Sequence, residues 1–256
     1  MKVIRMNIEY HKHYSQYLGR DMEFKVYGHS GRPCLYFPCQ NGRFYDFENF
    51  RMIDVWSGPI EQGRVQIFTA DTIDGETWSA KGGNPHDRIV RHEQWYHYVV
   101  DELVPEIFER NAAGNGGQRA RGILSFGCSM GAMHSANFFF RRPDLFDGNL
   151  SLSGLYSSRD SFGDYMEPLI YDNSPIDYLR NMPWDHPYIQ MYNERKLIFC
   201  VGQGAWEDEL KASTRELEEV LCQKGIHAWF DYWGYDVNHD WNWWFRQVDY
   251  FLPKIL

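Results

Sequence analysis

With 256 residues, 43% of them apolar and 17% aromatic, the chain is long enough to bury a large core and too rich in big side chains to be disordered. Its 26 Lys and Arg stand against 35 Asp and Glu, a net charge of −9. That balance weighs against the basic face a nucleic-acid grip needs to displace counterions, and against an anionic membrane surface.

The first residues, Met1-Lys2-Val3-Ile4-Arg5-Met6-Asn7, lead to His11-Lys12-His13 without an apolar stretch, so no secretory leader is expected. No apolar run approaches a membrane span. His11 and His13 lack a third ligand at useful spacing; they are expected as solvated strand residues, and no metal or other cofactor is expected. Met22–Tyr27 alternates apolar and polar residues, the period of a strand with one wet face. Cys34-Leu35-Tyr36-Phe37, between two prolines, and Val65–Thr69 read as buried strands. Asn84-Pro85 opens a long helix through Tyr96, Val99, Leu103 and Ile107, ended by the glycines of Asn111–Gly117.

Gly122–Phe126 is the next strand, followed by a helix from Met130 to Phe140 closed by Arg141-Arg142-Pro143. Asn149–Leu152 and Leu197–Val201 are further strands. A helix around Leu210, Leu217 and Leu221 stops at Gly225. Ala228–Trp233 is the last strand, and a final helix carries Trp241, Trp244, Val248 and Leu252 on one face. Strands alternating with helices predict a single α/β domain over 1–256, with a mostly parallel sheet covered on both faces. From Tyr156 to Asn193 four prolines among aromatics break the rhythm and predict a lid-like excursion over the site. The five cysteines (Cys34, Cys39, Cys128, Cys200, Cys222) are scattered, with no CxxC pair, which predicts a reducing, cytoplasmic setting.

Gly127-Cys128-Ser129-Met130-Gly131 is a G-x-S-x-G pentapeptide, weak evidence by itself. Here it follows a buried strand and opens a helix, the setting a nucleophile elbow requires. Glycines flank the serine because the tight turn leaves no room for a neighbouring Cβ. A hydroxyl is a poor nucleophile at neutral pH and needs a base. Of ten histidines only His239 lies between the last strand and the last helix, where the order Ser, acid, His puts the base. His227 is at the wrong end of that strand, and His134, within the elbow helix, is expected to pack. The acid is expected after Leu197–Val201, in Gly202-Gln203-Gly204-Ala205-Trp206-Glu207-Asp208-Glu209. Glu207 is the choice, with Asp208 the alternative. The oxyanion hole is expected from the N–H of Met130 and that of Gln40 or Asn41, in the loop Pro38–Phe44.

With these segments placed, the chain resembles the putative-esterase family of α/β-hydrolases, which includes esterase D (S-formylglutathione hydrolase), feruloyl esterases and mycolyltransferases. Four stretches carry the resemblance: Leu18–Val26, Phe37-Pro38-Cys39-Gln40-Asn41-Gly42, the elbow with Pro143-Asp144-Leu145-Phe146 and Ser153-Gly154, and His239-Asp240-Trp241 with Trp244. In esterase D-like members an acid stands three residues after a glycine; Gly204 and Glu207 fit that offset, although the family usually has Asp. The resemblance implies a metal-free serine hydrolase acting on a small ester through an acyl-enzyme. An acyltransferase would use the same residues, and a non-catalytic binding module would need a broken triad. The excursion, with Tyr156, Phe162, Tyr165, Tyr171 and Trp184, is expected to roof the pocket.

Overall fold

The computed structural model describes residues 6–256. Positions 1–5, on which the reading of the leader largely rests, lie outside the described residues. In chain order the elements are β1 (Ile8–Ser15), β2 (Arg20–Tyr27), β3 (Arg32–Phe37), α1 (Asp46–Asn49), α2 (Met52–Glu61), β4 (Val65–Ala70), α3 (Pro85–His97), α4 (Val104–Gly114), β5 (Ile123–Cys128), α5 (Met130–Arg141) and β6 (Phe146–Leu152). Then come α6 (Arg159–Phe162), α7 (Pro168–Asp172), α8 (Pro175–Asn181), α9 (Pro187–Asn193), β7 (Lys196–Val201), α10 (Asp208–Gln223), β8 (Trp229–Tyr232) and α11 (Trp241–Ile255).

The eight strands form one sheet in the order β1-β2-β4-β3-β5-β6-β7-β8. β1 and β2 are antiparallel to their neighbours, and every pairing from β4 to β8 is parallel. Both faces are covered, as successive strand residues show. Leu35, Phe37, Leu197 and Phe199 point into a core with Trp95, Leu103, Phe138, Phe139 and Leu217. Cys34, Tyr36, Ile198 and Cys200 point the other way, against Met52, Trp56 and Ile60 of α2 and Trp244, Val248 and Phe251 of α11. Such apolar strands, wet on neither face, are what a parallel sheet between helix layers demands.

The long helix expected from Pro85 starts as read, with Asn84 Oδ1 accepting the N–H groups of His86 and Asp87. It runs without a gap to Gly114, but not in one helical form. Tyr98–Leu103 is a π-helical segment before α4, which has proline at its start. Pro105 has no N–H to donate and its ring crowds the carbonyl four residues back; the wider turn relieves both. The excursion, read only as a break in the strand–helix rhythm, folds as four short helices, three of them with proline in the first turn.

Candidate active site

The parallel strands end on one edge of the sheet, and the loops leaving those ends build the site, as in open α/β sheets generally. β5 delivers Ser129 at φ 57°, ψ −126°, a conformation that costs about 1–3 kcal/mol for a residue with a Cβ. Its backbone is fixed by Ser129 N–H donating to Leu152 C=O at 2.9 Å. The flanking glycines are required by contact. A Cβ on Gly127 would stand 2.2 Å from Gly131 O, and one on Gly131 would stand 2.1 Å from Phe37 O. The elbow therefore presses directly on the end of β3, and that pressure sets the distance from Ser129 to the loop after β3.

The loops after β7 and β8 are laced together by backbone. Gly204 N–H donates to Val237 C=O at 2.8 Å, and His239 N–H donates to Ala205 C=O at 3.0 Å. Asn238 Oδ1 accepts the Ala205 N–H at 2.8 Å. Glycine is needed at 202 and 204, because a Cβ would stand 2.2 Å from Val237 O and 2.3 Å from Asn238 Oδ1 respectively.

Those contacts bring the three sequence-selected side chains together. Ser129 Oγ lies 2.9 Å from His239 Nε2. On the far side of the ring, His239 Nδ1 lies 3.4 Å from Glu207 Oε1. Glu207 is fully buried at the start of α10, whereas the side chain of Asp208 is 88% exposed and pairs with Lys211. Glu207 Oε1 also accepts from Ser153 Oγ at 2.7 Å, and Trp244 Nε1 donates to Ser153 Oγ at 3.3 Å. The Trp244 ring meets the imidazole edge-on, centroids 4.9 Å apart. Ser153 was missed as a site residue; the signal was available in Ser153-Gly154 at the end of a buried strand. Cys128, beside the serine, is no rival nucleophile, since burial holds its thiol well above the ordinary cysteine range.

The two loops expected to supply N–H groups meet the same space. Among the described residues neither Met130 N–H nor Gln40 N–H has a hydrogen-bond acceptor, whereas Asn41 N–H is taken by Asp74 Oδ2 at 3.1 Å. A cavity of about 280 Å³ opens beside Ser129 and His239, walled by Gln40, Met130, Met133, Leu155 and Leu210, with the Lys81–Asp160 ion pair at its border. A roomier groove of about 450 Å³ along Val100–Phe108 has no serine, cysteine or histidine in its wall, so size alone does not mark the site.

The excursion contributes less to this cavity than expected. Ser157, Asp160 and Ser161 line it, but none of the five aromatics does. Tyr156 is buried against Phe199, Phe162 packs on Trp78, and Tyr165 and Trp184 face solvent. Phe162 and Ile170 instead pack behind the cavity wall, in one apolar cluster with Met133 and Trp78.

Solved structures share this architecture along almost their whole length. A ferulic acid esterase superposes with a TM-score of 0.73 at 15% identity, covering 98% of this chain and 97% of its own. An S-formylglutathione hydrolase of Agrobacterium tumefaciens gives 0.68 at 13%, with 99% and 96% covered. MPT51 (FbpC1) of Mycobacterium tuberculosis gives 0.66 at 15%, with 97% of each chain covered. At such identities the likeness establishes the fold, that of the α/β-hydrolases. No curated protein sequence matches the chain. The family model described as Putative esterase matches residues 15–254. The chain belongs to that family and is a serine carboxylic-ester hydrolase.

Proposed function

We propose that Ser129, His239 and Glu207 form a Ser-His-acid triad that hydrolyses small carboxylic esters through an acyl-enzyme. In this reading Ser129 Oγ attacks the acyl carbon while His239 Nε2 takes its proton. The tetrahedral oxyanion is met by the N–H groups of Met130 and Gln40, donors with no other partner to give up. Asn41 is set aside as the donor because Asp74 already holds its N–H. His239 then protonates the departing alkoxide, and water, activated by the same ring, releases the acid and restores Ser129.

Glu207 keeps the proton of His239 on Nδ1 and leaves Nε2 free to accept. The 3.4 Å separation exceeds a formed hydrogen bond and shortens once the ring becomes imidazolium and attracts the buried carboxylate. Ser153 fixes one oxygen of that carboxylate, and Trp244 fixes Ser153. The acyl group lies in the cavity between Met130, Met133, Leu155 and Leu210, whose volume suits short chains.

The observation that carries this reading is the imidazole standing between the serine oxygen and a buried carboxylate. Ser129→Ala tests it. On p-nitrophenyl acetate kcat falls on the order of 10⁴-fold or more while the melting temperature stays within a degree or two. Wild-type turnover in that variant contradicts the reading.

A further inference from the structure

A second carboxylate–imidazole contact is buried below the site, and the reaction described above does not use it. Asp74 and His134 are 2% and 1% exposed. His134 Nε2 donates to Asp74 Oδ1 at 2.9 Å, and the other oxygen, Oδ2, accepts the backbone N–H of Asn41. A carboxylate is costly to bury and is retained only where its hydrogen bonds are made.

The bond to Asn41 is the informative one. Cys39–Gly42 is a β-turn, closed by Gly42 N–H donating to Cys39 C=O at 2.8 Å. Asn41, third in the turn, has φ 57°, while Gln40, second, is not left-handed. That combination marks a type II turn, in which the central peptide is turned over relative to type I. The N–H of that central peptide is the one Asp74 grips. The carboxylate thus selects between two turn geometries and thereby fixes the preceding peptide, whose N–H is that of Gln40.

Asp74 is itself held. Its carbonyl accepts the N–H groups of Thr77 and Ser79 at 3.0 and 2.9 Å, in the short turn after β4. His134 rides on α5, five residues beyond Ser129, with its ring centroid 4.9 Å from Trp95, 5.7 Å from His92 and 6.4 Å from Trp78. One carboxylate therefore ties the loop after β3 to the loop after β4 and to the elbow helix.

We infer that Asp74, seated by His134, is a positioning residue for the oxyanion hole: by accepting the Asn41 N–H it keeps the Gln40 N–H aimed at the tetrahedral intermediate. This rests on the triad reading and on Gln40 as the second donor. Two substitutions separate aim from mere packing. Asp74→Ala removes the acceptor, and Asp74→Asn removes the charge but keeps an oxygen for Asn41. With p-nitrophenyl acetate, Asp74→Ala lowers kcat on the order of 10- to 100-fold with KM within threefold. Binding of phenylboronic acid, which forms an anionic tetrahedral adduct on serine, weakens by the same factor as kcat/KM. Asp74→Asn melts lower than wild type yet keeps kcat within threefold.

If both variants melt lower and neither loses kcat, the pair is structural only and the inference is overturned. An equal kcat loss in both overturns it too, since charge and not aim would then be responsible. Should Asp74→Ala not fold, Asp74→Ser, too short to reach Asn41, takes its place with the same expected loss. Hydrolysis that survives Ser129→Ala would mean that the triad reading itself has failed. Hydrolysis that needs Ser129 but ignores the loss of Asp74 removes this inference alone.

Discussion

Ser129, the proposed nucleophile, sits at φ 57° in a backbone conformation that a crowded turn imposes. The choice between Glu207 and Asp208 is a matter of one residue, and sequence favoured Glu207 without settling it. Both are carboxylates in the same loop, and just after Trp206, whose φ is 67°, residue 207 turns inward and 208 outward. The two residues consequently have opposite expectations. Glu207→Gln places an amide against the imidazole and stabilises the wrong tautomer, so kcat falls on the order of 10³- to 10⁴-fold. Asp208→Asn changes an exposed side chain and leaves kcat within twofold. Steady-state kinetics on one p-nitrophenyl ester checks both; comparable losses would show that the acid lies elsewhere. The oxyanion donor was equally ambiguous, because the partner that holds the Asn41 N–H, Asp74, stands 33 residues away.

Elements with an ordinary hydrophobic period were legible, and those that inverted or interrupted it were not. Residues 34–37, 65–69 and 197–201 declared themselves as runs of buried residues between turn signals. At β1 only a strand with solvated His11 and His13 was read, and the facing was wrong, because this is an edge strand with its pattern reversed. Ile8, Tyr10 and Tyr14 face solvent, while His11 and His13 turn inward against Phe24. α2 does bury Met52, Trp56 and Ile60 at four-residue spacing, but Gly58-Pro59 near its end reads as a turn. The elbow was legible because its glycines answer a steric demand, and that demand can be tested. Gly131→Ala forces a methyl against the Phe37 carbonyl, and relief requires α5 to move away from β3. The expected cost is about 1–3 kcal/mol, seen as a melting temperature lowered by several degrees, with hydrolysis reduced because Met130 moves too. An unchanged melting point would mean that the close approach is relaxed in solution.

At the scale of the whole molecule, the two-faced core dictates how stability responds to pH. Cys34, Cys128 and Cys200 are fully buried, and burial raises the pKa of each thiol. In the unfolded chain a thiol loses its proton from about pH 8.5, whereas in the native core it keeps it. Above that pH the unfolded state binds fewer protons than the native state, so stability falls as pH rises, by about 4 kcal/mol per unit for the three together. Melting curves in a reducing buffer are therefore expected to be flat from pH 7 to 8 and to drop steeply above pH 9. A melting point maintained to pH 10.5 would show that these thiols ionise in the folded protein. Among the described residues no helix is long and apolar enough to cross a membrane.

The global arrangement also determines which bond forms first. Loops from β5, β7 and β8, far apart in the chain, meet at one sheet edge, and everything proposed for the chemistry depends on that meeting making one oxygen unusually reactive. Incubation with a fluorophosphonate followed by intact-mass and peptide analysis reads this directly. The expected result is a single adduct on the peptide containing Ser129, absent in Ser129→Ala and greatly slowed in His239→Ala. An unlabelled wild-type protein, or an adduct that forms just as fast without Ser129, would contradict it.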